Sequence, residues 1–478
     1  MTDRIVQASW CCCYMGSLAR QVCSVVVVAS TMLHVGLMLG WPATLPSLQA
    51  DTHFNATDND VKWLVSCVGF TGLVSNLPIG ALIDYLGYRH LMTLTLLPVT
   101  VTWLLQGLTP SLTLLYVGRI MGSVGFMIFS TLVNPLMAEL LEPKYRGFLG
   151  CLSEIVVSTG MLLAYLMAEF FTWKLVTILS AVPFIPIFFF SLGVPESPYW
   201  LVRAGRIREA EEALITVRGP LRRLSAQEEL LEIQKSIKEQ PQTSLSQQVW
   251  HISKPQNFRP LLLMAAIIVL RELGGQFAIF SYAVYFFRNA GVEMKASTCT
   301  VLLGVARLFS TIACSSLLDR VGRRFILTVG CSCCAVSTAI GSIFLFWDIP
   351  GSSWVPVMAV VSFVLGYGFG VGPIPWVLLG ELLPTPIRVV GASICTCIYA
   401  AMEVIVGLCF PQMMEEVGLG GSLLFFAAFN VLMIVVVRRF LPETANSSLH
   451  LLEYVFKRDY HTSPLDEERM TSEEPLLH

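Results

Sequence analysis

Six ionisable side chains stand inside long apolar runs of this 478-residue chain: Arg119, Glu154, Arg271, Glu272, Arg307 and Glu403. A charge at the centre of a bilayer-spanning helix costs roughly 2.5–3.5 kcal/mol on insertion scales, so such groups turn toward one another or toward water. Three chemistries fit them. One is structural pairing, of Arg271 or Arg307 with Glu403 or Glu154. Another is recognition of a polar or charged solute. The third is a proton relay through Glu154 or Glu403. His34, also mid-run, reads as a satisfied buried histidine. The run Gly366-Tyr367-Gly368-Phe369-Gly370 lacks a following Lys-Ser or Lys-Thr, so it reads as a hinge rather than a phosphate loop. Pro373 and Pro375 should break the helix beside it. No nucleophile–base constellation and no metal-ligand spacing points to an enzyme.

The elements that position these groups follow from composition. The chain is 55% hydrophobic and 13% charged, whereas soluble domains carry about 25% charged residues. A lipid bilayer supplies the missing apolar solvent. A span needs about 20 apolar residues, and runs of that kind fall near 22–46, 61–86, 91–110, 112–138, 148–170, 173–194, 259–287, 296–318, 325–347, 354–382, 390–413 and 420–441. Twelve spans with both termini cytosolic place 24 of the 31 Lys and Arg inside and four outside, Lys62, Lys174, Arg288 and Lys295. The positive-inside rule selects that orientation over its inverse. The net charge of −2 gives no reason to expect a nucleic-acid partner.

The expected organisation is an N-terminal tail (1–21), a six-helix half (22–195), cytosolic linker helices (196–258), a second six-helix half (259–443) and a C-terminal tail (444–478). Asn55-Ala56-Thr57 forms a glycosylation acceptor in a loop this topology puts outside. Cys11-Cys12-Cys13 precedes the first span and is a candidate for S-acylation. Glu473-Glu474-Pro475-Leu476-Leu477 resembles an acidic di-leucine signal for sorting adaptors and endosomal cycling, and chance explains it about as well.

Three motifs occur twice, in the same order. Asp84 to Arg89 recurs as Asp319 to Arg324, 235 residues on; Glu139 with Arg146 recurs as Glu381 with Arg388, 242 on; Pro195-Glu196-Ser197 recurs as Pro442-Glu443-Thr444, 247 on. Each pair ends an equivalent span on the cytosolic side. Two parallel halves with a midplane site between them form a carrier architecture. Carboxylates and guanidiniums at these ends read as a latch: Asp84, Arg89, Glu139, Arg146 and Glu196 in one half, Asp319, Arg323, Arg324, Glu381, Arg388 and Glu443 in the other. The plainer alternative is loop stabilisation.

With these motifs the sequence resembles the sugar porter family of the major facilitator superfamily, and within it the insect trehalose and glucose facilitators. The resemblance covers roughly residues 20–455 and includes Arg119 after Gly118, Pro195 to Leu201, and Gly372-Pro373-Ile374-Pro375-Trp376. It implies an all-α membrane fold of twelve helices in two halves. It also implies alternating access to a central sugar site, no bound cofactor, and a plasma-membrane location. By the same resemblance the solute site comprises Glu154, Arg271, Glu272, Gln276, Phe277, Trp376 and Tyr399. Several of these depart from the family's Gln, Asn and Trp pattern. Met38 stands where proton-coupled relatives carry Asp, which argues for facilitative uniport over symport by that route. The expected function is carriage of a hexose or trehalose. The alternatives are a same-fold carrier of another polar or charged solute, proton-coupled or not, and a non-transporting sugar sensor.

Overall fold

The computed structural model describes residues 17–142, 149–219, 223–239, 252–290, 294–347, 354–384 and 387–443, with the side chains of all of these except 77, 239, 256, 319, 320, 388 and 389. The tail cysteines, the di-leucine run and Arg146 lie outside the described residues. Asp319 and Arg388 lie outside the described side chains.

The first half consists of α1 (Ser17–Gln49), α2 (Asp58–Leu86), α3 (Tyr88–Leu108), α4 (Leu112–Leu140), α5 (Leu152–Phe170) and α6 (Trp173–Ser191). Linker helices α7 (Pro198–Arg203), α8 (Ile207–Arg218) and α9 (Arg223–Glu239) follow. The second half consists of α10 (Asn257–Ser281), a short α11 (Ala283–Asn289), α12 (Ala296–Val321), α13 (Arg323–Trp347), α14 (Trp354–Leu382), α15 (Arg388–Glu416) and α16 (Gly418–Phe440). Eleven of these helices are long and apolar enough to cross a membrane, and α2 makes twelve when its two arms count as one span. Those arms meet at 57° beside Pro78, where proline removes a helical hydrogen bond and crowds the preceding turn. Large apolar side chains such as Val74, Phe170, Phe309 and Trp347 point outward, as expected where lipid is the solvent.

Breaks occur where the sequence carries Gly and Pro. The α10 helix stops at Leu273, turns through Gly274 and Gly275 (the latter at φ +95°), and resumes at Gln276. The α14 helix contains a π turn over Tyr367–Val371 just before Pro373. Irregular backbone at membrane depth is tolerated only where protein or a wet cavity satisfies it.

Within the first half, α1 lies on α5 with their backbones in contact. A Cβ on Gly36 would sit 2.1 Å from the Val157 carbonyl, and one on Gly160 would sit 2.7 Å from the Leu33 carbonyl. Small residues allow this approach, which is how membrane helices gain packing energy without a hydrophobic driving force. His34 is fully buried between Trp103, whose Nε1–H donates to its Nδ1 at 3.0 Å, and the Gly122 carbonyl, 2.8 Å from its Nε2. Both ring nitrogens are satisfied, in line with a structural histidine. The two halves meet along two seams, α2 against α15 and α5 against α12.

The linker helices form a small core around Trp200, Leu214, Leu230 and Ile233. They dock on the first half through Arg218, which donates to the free Leu140 carbonyl at the end of α4 (2.8 Å) while pairing with Glu229 (2.7 Å). Arg208 and Glu212 lie 3.8 Å apart on the exposed face of α8, and an exposed pair of this kind contributes little.

Candidate solute-binding site

Arg271 and Glu272 lie just before the break in α10, against α14 and α15. Both are buried, Arg271 at 5% and Glu272 at 0% exposure. The sequence-based expectation that Arg271 or Arg307 would pair with Glu403 or Glu154 is corrected here. Arg271 pairs with its own neighbour, Nη1 to Glu272 Oε1 at 2.6 Å. It also donates from Nη2 to the Tyr367 hydroxyl (2.6 Å) and from Nε to the Val371 carbonyl (3.1 Å). The rings of Tyr367, Trp376 and Tyr399 lie 5.5–5.6 Å from its guanidinium carbon. Consecutive residues do not face each other on a regular helix; this pair closes at a helix end, two residues before the Gly274–Gly275 turn. Each of the three guanidinium nitrogens of Arg271 thus donates to a protein acceptor.

Arg307 has no ion pair among the described residues. Its guanidinium lies 4.8 Å from the Phe280 ring centroid and 5.4 Å from that of Tyr367, and Nη1 reaches the Met161 sulfur at 3.1 Å. Arg119 is placed similarly, 4.5 Å over the Trp41 ring, with the Met38 carbonyl at 3.1 Å and the Met38 sulfur at 3.2 Å. Cation–π contact is the partner both arginines find.

Glu403 is fully buried; the Tyr399 hydroxyl donates to its Oε1, and its Oε2 has no hydrogen-bond partner. Gln276 donates to Glu272 Oε1, leaving Glu272 Oε2 equally unpartnered. Trp376, half-buried, meets Tyr399 edge to face with centroids 5.2 Å apart. Glu154 is half-buried on α5 and lies within electrostatic range of Arg271 and Tyr367. Phe277 is buried in the seam with α15, its ring beside Gly407. So Arg271, Glu272, Gln276, Trp376, Tyr399 and Glu403 form one connected cluster, while Phe277 packs rather than hydrogen-bonds. Tyr367, which holds Arg271, went unnoticed in the sequence. Its signal was being a polar aromatic inside a glycine run.

The duplicated motifs build duplicated geometry. Gly87 (φ +85°, ψ 165°) and Gly322 (φ +94°, ψ 146°) precede α3 and α13. A Cβ on either would meet a carboxylate oxygen, Glu196 Oε2 at 2.5 Å or Glu443 Oε2 at 2.8 Å. Glu196 accepts from the Arg89 N–H at 3.0 and 3.1 Å and lies 3.1 Å from His90 Nδ1. Glu443 accepts from the N–H groups of Arg323 (2.9 Å) and Arg324 (3.2 Å). Each carboxylate thus caps a helix N-terminus, where free N–H groups and the helix dipole favour an anion. The Arg89 side chain donates to the Leu192 carbonyl at 2.7 Å, and Arg324 donates to the Arg438 carbonyl.

Within the expected network, Asp84 and Arg89 do not pair with each other among the described residues. Asp84 is exposed and has no ion pair among the described residues, while its carbonyl accepts from Trp200 Nε1 at 3.2 Å. The glycine turn sends Arg89 away from it, toward α6. Arg323 and Glu381 do pair, at 3.1 Å. The corresponding residues in the first half are Tyr88 and Glu139, and Glu139 accepts from the Ser197 hydroxyl instead. The ends are repeated in backbone and unequal in charge. Alanine at Gly322 should cost about 1–3 kcal/mol, since that backbone region is nearly closed to side chains. Thermal unfolding of the detergent-solubilised protein should show a lowered midpoint.

Two halves, a repeated capping turn at equivalent helix ends and a seventh span broken beside a buried polar cluster describe a carrier scaffold. The family described as "Sugar (and other) transporter" matches residues 22–456. The chain belongs to this sugar transporter family. It is therefore a multi-pass membrane carrier and not an enzyme. Among curated proteins it is similar to the facilitated trehalose transporter Tret1 of Polypedilum vanderplanki, 28% identical over 441 residues, 91% of this chain and 87% of that one. The Culex quinquefasciatus Tret1 is 29% identical over 407 residues, covering 84% and 78%. Among solved structures it is similar in fold to the proton:xylose symporter XylE bound to a bromodeoxyglucose, with TM-score 0.78, 19% identity, and 92% and 100% of the two chains covered. An inward-open XylE structure gives a TM-score of 0.74 at 19% identity, with 90% and 98% covered.

In this sugar transporter, hydrogen bonds between described residues join the halves from mid-span to the Asn55 end. Ser158 and Thr311 hydroxyls lie 3.2 Å apart, Tyr165 donates to the Phe280 carbonyl (3.1 Å), Tyr285 to Gln49 (2.6 Å) and Thr298 to Glu169 (3.1 Å). Asn55 itself is exposed in the loop between α1 and α2.

Proposed function

We propose that this chain carries a neutral sugar, a hexose or trehalose, across the plasma membrane by alternating access, with both termini cytosolic. The observation that carries the reading is the half-buried Trp376 ring beside Tyr399, in a cluster with a spare acceptor oxygen on Glu272. A ring face packs the C–H surface of a pyranose, and spare acceptors take hydroxyl donors; solute sites are apolar walls with a few such placed polar groups. The names of the relatives favour trehalose. An anionic solute is disfavoured, because Arg271 is already engaged by Glu272, Tyr367 and Val371. The paired end motifs, unequal in charge, act as latches that hold helix ends during rocking. Met38 against Arg119 leaves no carboxylate at the first-span coupling position.

Uptake of labelled trehalose and glucose into oocytes tests this. The wild type should exceed water-injected controls. Trp376→Leu should lower kcat/KM about tenfold, roughly 1.4 kcal/mol of lost ring contact. No uptake with surface expression confirmed would remove the sugar reading.

A further inference from the structure

We propose that Glu403 is a proton-binding site of the transport cycle, loaded on one side of the membrane and emptied on the other. The proposal deepens the reading above and rests on the chain moving a solute.

Glu403 is 0% exposed on α15. Its Oε1 takes the Tyr399 O–H, and its Oε2 has no partner. No Lys, Arg or His pairs with it among the described residues. The helices packed against α15 are α2, α10, α14 and α16. Of these, only α10 brings charge within range of Glu403, the Arg271 and Glu272 side chains, which are already paired with each other; α15 itself adds Tyr399. The α2 helix meets α15 through Gly69 and Gly72, and the buried polar residues of α16, Ser422 and Asn430, are neutral; Ser422 donates to the Gly418 carbonyl and Asn430 to the Gly274 and Phe426 carbonyls.

An ionised carboxylate left in that position would forgo most of its hydration with no cation in return, a desolvation penalty. A proton removes it. Hydronium gives its proton to Oε2, leaving water and a neutral acid; when the other face opens, water takes the proton back. Nothing is oxidised or reduced. Coupling to the solute passes through one side chain, because Tyr399 holds Glu403 and its ring also meets that of Trp376 edge to face. A solute docking on that ring shifts the group that solvates the acid.

The test uses the full chain in proteoliposomes with labelled glucose and trehalose and an inward gradient of about one pH unit. One proton per solute permits accumulation up to about tenfold over equilibrium. The wild type should accumulate sugar, and Glu403→Gln should show a steady-state ratio of one whatever its rate. Glu403→Asp, which keeps the acid, should stay above one. A wild type that exchanges sugar without accumulating it overturns the proton site and leaves the carrier reading standing, as does Glu403→Gln accumulating like wild type. If neither sugar moves at all, the sugar reading falls and infrared difference spectra decide the rest. A carboxylic-acid carbonyl band lost in Glu403→Gln upholds the proton site, and no such band overturns it.

Discussion

Arg271→Ala is expected to leave almost no folded carrier at the cell surface. Among the described residues, the guanidinium is the only cation bonded to Glu272, which is 0% exposed. It also bonds the Tyr367 hydroxyl and the Val371 carbonyl inside the π turn of α14. Removing one member of a buried pair costs about 3–5 kcal/mol, because the other charge stays buried without compensation. Total stabilities of folded domains are only about 5–15 kcal/mol. The double variant Arg271→Met with Glu272→Gln removes both charges together and keeps the volume and the Gln276 contact, so it should recover most of the folded protein. Surface labelling and size-exclusion profiles of the three proteins check this. A single variant as abundant as wild type would mean that Glu272 sheds its charge without help from Arg271.

The second large effect is expected at Gly36. The space a Cβ would fill is taken by backbone, the Val157 carbonyl at 2.1 Å and the Gly160 Cα at 2.9 Å. Flexible side chains yield to an intruding methyl; two helix backbones must move apart. Gly36→Val should therefore cost roughly 3 kcal/mol or more, at or beyond the upper end of overpacking penalties. It should yield aggregated protein on detergent extraction. Gly80→Ala is the control. A Cβ there meets nothing within 4 Å, so the change should be neutral or stabilising by up to about 1 kcal/mol through helix propensity.

The fold was largely legible because the bilayer demands long apolar runs and because a duplicated chain repeats its helix-end chemistry. The twelve expected runs correspond to the helices seen, with α2 counted as one bent span. The structure brings together Arg271, Glu272, Gln276, Trp376 and Tyr399 of the expected residues, in pairings the sequence did not show. Arg271 and Glu272 are adjacent in sequence, and helical periodicity sets neighbours apart; only the turn at Gly274 and Gly275 lets them meet. Glu196 and Glu443 looked like partners for guanidiniums, and the structure shows backbone N–H groups of Arg89, Arg323 and Arg324 donating to them. Charge counting does not see a helix end whose orientation depends on a glycine at φ +85° or +94°. Arg119 and Arg307 invited a search for carboxylates and found Trp41 and Phe280, since an arginine over a ring carries no signature in residue spacing. Met38 read alone argues for uniport. Glu403, with one oxygen unpartnered at zero exposure, is the observation behind the proposed coupling proton.

Counterflow tests the central claim, that this chain carries sugar by alternating access, most directly. Proteoliposomes holding the purified chain are preloaded with unlabelled trehalose or glucose, and entry of the same labelled sugar is followed at equal pH on both sides. A carrier whose site faces one side at a time should show a transient overshoot of label in preloaded vesicles that empty ones lack. Sugar binding to the purified protein with identical entry into preloaded and empty vesicles would contradict the account and favour a sensor that does not transport.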